Sequence, residues 1–335
     1  MSLRDEQFRG ERAWADGRLI PRGDLAVAVG DAGFVLGATV TEQLRTFNGR
    51  LFLPDEHRLR LAESLAAVGI RPPVPLEAVF AAAQDLAAHN HAVLAAAGRH
   101  ERGPEGAADR GPDIGPDLGV VIFVTPGDMP AQHEGRSGGP RVVIHSFPLA
   151  FSMWARAYDH GLALRSVSVR QVPEACWPVH AKVRSRLHYF LADREAAAVE
   201  SGARAILAHA DGRISETSTA NVAVVRAGRI VVPPATDALS GVSLAFARGL
   251  AERLAIPWRE ESLRQVDLAT ADEILLTSTP SCLLPATRFD GRAVGSGAPG
   301  PVFHRLLAAW SESAGVDIVT QARRHAPDST AGSPA

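Results

Sequence analysis

Two residues define the chemistry open to this chain. Lys182 lies in HAKVRSRLHYFLADREA, and Glu216 follows in DGRISETSTANVAVVRAGRIVVPP. A lysine amine can condense with a carbonyl to give a Schiff base, and once released it can shuttle a proton at a neighbouring carbon. A carboxylate beside a ring nitrogen keeps that nitrogen protonated, which lets the ring absorb the electrons of a carbanion. One residue would make a covalent bond and the other would make that bond useful. Either residue taken alone is commonplace on a protein surface, so the argument rests on their order and on the landmarks around them.

The elements that must carry these residues can be read from turns and periodicity. Residues 12–53 read as short strands joined by tight turns, with hairpins around Asp16-Gly17 and Asn48-Gly49. The second is a strong type I′ signal. Pro54-Asp55-Glu56 opens a helix that ends at Gly69, and an alanine-rich helix is predicted over 75–97. Residues 98–117, rich in Gly, Pro and charge, read as a flexible insertion, after which strands are predicted over 119–125 and 141–146. FPLAFSMWARAYDHG reads as the crossing into a second domain. The expected division is a small domain over 1–147, a connection at 148–155, a larger domain over 156–320 and a disordered tail over 321–335. In the larger domain, strands are predicted over 163–169, 205–210, 219–226, 229–232 and 273–277. Helices are predicted over 185–201, 244–254 and 302–313, the first with Leu187, Phe190, Leu191, Ala198 and Val199 on one face.

Bulk properties narrow the function classes. With 335 residues, 46% of them hydrophobic and 21% charged, the chain suits two domains with ample cores. A formal net charge of −2 with interspersed signs gives no basis for a nucleic-acid or membrane-surface partner. The apolar runs fall short of a membrane span. The charged N-terminus, MSLRDEQFRGERAW, lacks a signal-peptide core, and Cys176 and Cys282 make neither a disulfide framework nor a metal set. A cytoplasmic setting is therefore expected. The histidines, among them His89, His91, His180 and His188, have no ligand spacing backed by carboxylates or thiols, so no metal is expected.

Together with GDAGFVLGATVTEQLRTFNGRLFLPDEHRLRL, the Lys182 helix and the Glu-Thr-Ser-x-x-Asn element resemble the active-site signature of fold-type IV pyridoxal-phosphate (PLP) enzymes. This family includes the class IV branched-chain and D-amino-acid aminotransferases and aminodeoxychorismate lyase. The resemblance implies an α/β (α+β) chain with a small N-terminal α/β domain and a larger C-terminal domain with a β-barrel-like core. It implies that Lys182 holds PLP and that Glu216 sits at the pyridine nitrogen. Arg60 matches the arginine that grips the phosphate, a task suited to its planar fork. Val242 and Ser243, in Ser240-Gly241-Val242-Ser243, match a phosphate cup at a helix N-terminus. Thr279 matches a further phosphate hydroxyl, and Asn221 supports the Glu216 strand. A homodimer acting on small amino and keto acids is implied as well.

Several positions bear on the substrate. Transaminases of this family often read Val-Thr-Arg-Gly at a turn whose arginine binds the substrate carboxylate, and here the turn is Val124-Thr125-Pro126-Gly127. The strand residue that is often aromatic is Thr41. Arg186 resembles the lyase branch, and Leu187 lies near the position of the tyrosine of the branched-chain branch. Arg184 and Arg186 lie near Lys182, where they could lower its pKa or bind a carboxylate. The expected function is a PLP-dependent aminotransferase. A PLP lyase and a non-catalytic PLP-binding scaffold are the alternatives, with Thr41 and Arg186 as candidate substrate contacts.

Overall fold

Paired left-handed residues make the hairpins of the first unit. In the computed structural model, which describes residues 10–102, 116–132, 134–135 and 138–326, Asp16 and Gly17 take φ of 48° and 91°, and Asn48 and Gly49 take 52° and 75°. Both pairs have the type I′ character that matches strand twist. The first turn joins β1 (Arg12–Ala15) to β2 (Arg18–Pro21), and the second joins β3 (Val40–Phe47) to β4 (Arg50–Leu51). With β5 (Leu118–Thr125) and β6 (Arg141–Pro148) they form an antiparallel six-stranded sheet in the order β2-β1-β6-β5-β3-β4.

Two helices cover one face of this sheet. Even-numbered residues of β3, β5 and β6, among them Val40, Leu44, Val120, Ile122, Val124, Val142 and Ile144, pack with helical side chains into one core. Leu61 and Leu65 come from α1 (Pro54–Val68), and Val79 and Leu86 from α2 (Leu76–Arg102). Pro54 and the acidic pair Asp55 and Glu56 start α1, and Gly69 closes it in the left-handed region at φ 71°, as proline, acidic residues and glycine do at helix ends. Helix α2 runs past its expected end to Arg102, into the segment read as an insertion. Residues 103–115 of that segment lie outside the described residues.

The chain divides into two compact units, and the division is not a single cut. The first unit comprises Met1–Leu149 together with Ala181–Ser185, and the second comprises Ala150–His180 and Arg186–Ala335. Residues 181–185 join the first unit as an added edge: Thr41 N–H donates to the Lys182 carbonyl at 3.0 Å, and Arg184 N–H donates to Thr39 at 2.8 Å.

The second unit is built on a closed ring of strands. Its elements are β7 (Leu162–Arg170), α3 (Leu187–Val199), β8 (Arg204–Ala208), β9 (Ile214–Thr217), β10 (Asn221–Arg226), β11 (Arg229–Val232), α4 (Val242–Arg253), β12 (Trp258–Glu260), β13 (Glu273–Ser278), β14 (Cys282–Phe289), β15 (Arg292–Ala293), α5 (Pro301–Ala314) and α6 (Ile318–His325). The order β10-β13-β14-β7-β8-β9 returns to β10, which closes a six-stranded barrel. The mixed α/β class and barrel-like core expected from the sequence are both present.

Two expectations need correction. The apolar face of α3 points outward: Leu187 is 69% exposed, Phe190 57% and Val199 66%, while Ala192 and Ala196 pack against Val167, Ala205 and Leu207. Small alanines let the helix sit close to the strands, so proximity rather than side-chain size decides which face is buried. The start of the expected disordered tail is helical, because α6 extends to His325 with Asp317 capping it through Thr320 N–H at 2.9 Å. Residues 327–335 lie outside the described residues.

Candidate active site

In the first unit, a carboxylate interrupts the apolar phase of β3. Glu42 stands between Val40 and Leu44 on the helix-facing side and is fully buried. A buried charge persists only when paired and hydrogen-bonded, and α1 supplies both partners. Arg60 Nε donates to Glu42 Oε1 and Arg60 Nη2 to Oε2, each at 2.7 Å, and His57 Nδ1 meets Oε2 at 2.7 Å. Burial works to raise the Glu42 carboxyl, and the Arg60 charge and the bonds from Arg60 and His57 outweigh it, holding it at about 2. Burial pulls His57 below its ordinary value despite the Glu42 bond, with Arg60 and Lys182 adding their charge. A neutral His57 therefore donates Nδ1–H to the carboxylate.

The same helix face holds Lys182. Ser64, fully buried one turn after Arg60, accepts the backbone N–H of Lys182 at 3.1 Å. Lys182 is thus gripped at its N–H by α1 and at its carbonyl by β3. Thr41, the candidate substrate contact, is buried and donates its hydroxyl to the Ile122 carbonyl at 3.1 Å, which commits its proton to the sheet. Arg60, Thr41 and Lys182 are therefore placed by one packed unit.

The other expected residues belong to the second unit. Glu216, near the end of β9, is directly paired with Asn221 at the start of β10. Thr217 stabilises the intervening turn by accepting the Ala220 N–H at 2.9 Å. This accounts for the spacing of Glu-Thr-Ser-x-x-Asn: a four-residue turn returns the asparagine opposite the glutamate. Asn221 Nδ2 donates to Glu216 Oε2 at 3.2 Å and to the Leu239 carbonyl at 2.8 Å. Its Oδ1 fills the space where a Cβ at Gly241 would stand. Gly241 is the N-cap of α4, whose first two residues, Val242 and Ser243, are both buried. Asn221 therefore ties the carboxylate to the helix N-terminus.

Arg186 caps α3, lies over the Tyr189 ring at 4.6 Å and donates through Nη2 to the Ser218 carbonyl. Thr279 stands half-buried in the turn after β13. In the strand before it, Thr277 is opposite Asn221 in the register, and its buried hydroxyl has no hydrogen-bond partner among the described residues. PLP fits these donors. A pyridinium needs a fixed carboxylate, a phosphate suits helix N–H groups and hydroxyls, and an orphaned buried hydroxyl beside them calls for a polar occupant.

Sequence reasoning missed Glu42, His57, Ser64 and Tyr189. The first three carried a signal: Glu42 places a charge in the apolar phase of β3, and His57 and Ser64 recur with Arg60 at helical spacing alongside Leu61 and Leu65, so polar residues share the apolar stripe of α1. Tyr189 carried none, because its role depends on Gln171 and Glu216, both remote in sequence. His180 is exposed, whereas His188 is half-buried between Trp177 and Tyr189. Among the described residues, no cluster of three His, Cys, Asp or Glu side chains could hold a metal ion.

Known proteins resemble this arrangement along most of its length. A D-alanine aminotransferase from Bacillus licheniformis is 29% identical over 301 residues, covering 89% of this chain and 95% of its own. The branched-chain amino acid aminotransferase of Escherichia coli shares the fold at a TM-score of 0.78 and 23% identity, over 91% of this chain and 94% of that one. The T.th. branched-chain enzyme, solved with pyridoxamine 5'-phosphate, superposes at a TM-score of 0.75 and 20% identity, over 92% and 96%. The pattern of the amino-transferase class IV family itself matches residues 39–289, and the chain belongs to that family of PLP-dependent aminotransferases.

Proposed function

We propose that Lys182 carries PLP covalently and acts as the proton carrier of an amino-group transfer between an amino acid and a keto acid. The observation that carries this reading is the Glu216–Asn221–Gly241 arrangement, which joins a carboxylate to a helix N-terminus through one asparagine. When bound, PLP supplies an electron sink for the substrate carbanion. Glu216 would accept a hydrogen bond from the protonated ring nitrogen and keep it charged. Arg60, oriented by Glu42, holds the phosphate together with the Val242 N–H and the hydroxyls of Ser243 and Thr279. Freed from the cofactor, the Lys182 amine would take the proton from the substrate α-carbon as general base. Arg186 and Thr41 border the substrate, with the Arg186 guanidinium steadied by the Ser218 carbonyl.

The names of the similar aminotransferases support a D-amino acid or a branched-chain amino acid as donor, with D-alanine the first to try. Pro126 in place of a turn arginine supports a carboxylate contact built from other residues. The exposed apolar side chains Val29, Phe34 and Leu36 support a homodimer, and a content of two cysteines, too few for a disulfide framework, supports a cytoplasmic setting.

The test is the absorption spectrum of the protein with PLP, before and after amino donors. Bleaching of the visible band by one donor, with keto-acid-dependent turnover that Lys182→Ala abolishes, is the expected result. Product release without an acceptor would instead establish a lyase. A Lys182→Ala protein that still transfers amino groups at the normal rate would sink the assignment.

A further inference from the structure

Glu216 has a second holder besides Asn221. Tyr189, seven residues after Lys182 on α3, donates its hydroxyl to Glu216 Oε1 at 2.7 Å. The direction of that bond is fixed by the groups behind it. Gln171 Oε1 accepts the Val172 N–H at 2.9 Å, so its amide points Nε2 at the Tyr189 oxygen at 3.1 Å and at Ser215 Oγ at 3.0 Å. The Tyr189 oxygen therefore accepts from Gln171 and has one proton, which goes to Glu216.

The partner on the other oxygen is oriented in the same way, because Asn221 Nδ2 is anchored on the Leu239 carbonyl. Both carboxylate oxygens thus receive a bond from a neutral donor whose own orientation is locked. Burial, with the Glu216 charge adding to it, raises the Tyr189 phenol well above its usual range, so it remains a donor at any working pH. The Arg186 guanidinium lies over its ring, and its charge works against that rise.

We propose that Tyr189 is a positioning residue that keeps Glu216 a weak base, so that the shared proton stays on the cofactor's ring nitrogen and not on the carboxylate. Hydrogen bonds to a carboxylate favour its charged form. Without the phenol, Glu216 becomes more basic and freer to rotate, and the proton shifts toward it. Tyr189 touches neither substrate nor the reacting carbon in this role; it acts through Glu216. The inference rests on the Glu216 role proposed above.

The test uses holoenzyme loaded with nitrogen-15-labelled PLP, in which the ring nitrogen's chemical shift reports its protonation directly. Tyr189→Phe removes one oxygen and keeps the ring. It is expected to move the shift toward the unprotonated ring and to lower kcat roughly ten- to hundredfold, with KM for the amino donor little changed, as the loss of one hydrogen bond to a charged group predicts. A wild-type nitrogen shift and wild-type kcat in Tyr189→Phe overturn the proposal.

Glu216→Gln separates the two levels. If it moves the nitrogen shift while Tyr189→Phe does not, only the Tyr189 inference fails; if neither moves it, the Glu216 reading itself fails. The chain has 2 tyrosines, Tyr158 and Tyr189, so replacing both with 3-fluorotyrosine strengthens the phenol as a donor without reshaping the fold. A shift in the nitrogen signal that appears in the otherwise wild-type chain and is absent from Tyr189→Phe supports the proposal, and an identical response in both overturns it.

Discussion

Ser64 accepts the Lys182 backbone N–H at 3.1 Å, one turn along α1 from Arg60. A single helix face thus sets both the proposed phosphate arginine and the proposed covalent lysine. Ser64→Ala removes the acceptor of that part-buried N–H, a loss of about 1 kcal/mol. We expect lower stability by urea titration and a lower turnover, because the lysine loses a backbone hold. Unchanged turnover would mean that the β3 hydrogen bonds alone position Lys182.

Glu42 is the counter-charge of Arg60, and removing it should matter more than removing any surface acid. Glu42→Gln leaves the guanidinium buried against a neutral amide, at a cost of about 3–5 kcal/mol. The pH dependence has a definite sign. The carboxyl is held at about 2 in the fold against a reference of 4.5, so its contribution is fully present above 4.5 and is lost as pH falls through about 2. Wild-type stability should fall across that window, and the Glu42→Gln curve should be flatter there. Parallel curves would remove Glu42 from the account of acid sensitivity.

Gly241 has an ordinary φ of −76°, so its requirement is one of space and not of backbone strain. A methyl group there overlaps Asn221 Oδ1. Gly241→Ala should push Asn221 off Glu216 and weaken PLP binding, read as a raised dissociation constant in a fluorescence titration. Gly228→Ala is the control, since nothing lies near the position of its Cβ, although its left-handed backbone adds some strain. Equal PLP affinity in the two variants would sink the spatial argument.

His145 and His188 are both held neutral by burial, with Arg22 and Arg184 adding to the effect at the first and Arg186 at the second. Each is lowered from 6.5 to about 4. Between those values the unfolded chain binds more protons than the folded one, so stability should decline as pH falls from 6.5 through about 4. A His145→Gln, His188→Gln double variant should show a shallower decline of thermal midpoint over that range. If its slope equals the wild-type slope, other groups govern this region.

Much of the fold was legible because turns announce themselves. Asn48-Gly49 and Asp16-Gly17 marked their hairpins, and Pro54 and Gly69 marked the ends of α1. The barrel was less legible strand by strand. β9 is only four residues long, and β14 contains Pro285 and Arg288, with an irregular register between Ala286 and Arg288. Proline inside a strand argues against a strand from sequence alone; here β14 is held on both sides, by β13 and β7. Lys182 and Glu216 could be singled out because their neighbours repeat a recognisable order. The groups that hold Glu216 could not, since Gln171 and Tyr189 act through hydrogen bonds that join distant stretches of chain.

The excursion of Ala181–Ser185 into the first unit bears on biogenesis. The β3 edge takes backbone partners from beyond that first stretch, Lys182 at Thr41 and Arg184 at Thr39, so the N-terminal unit is not complete when its first 149 residues have left the ribosome. Synthesis must continue through the early part of the next unit before that edge is covered. Until then the nascent chain presents an open strand edge. The segment that seals it is the one that carries Lys182, so completion of the first unit and arrival of the proposed covalent amine are a single event.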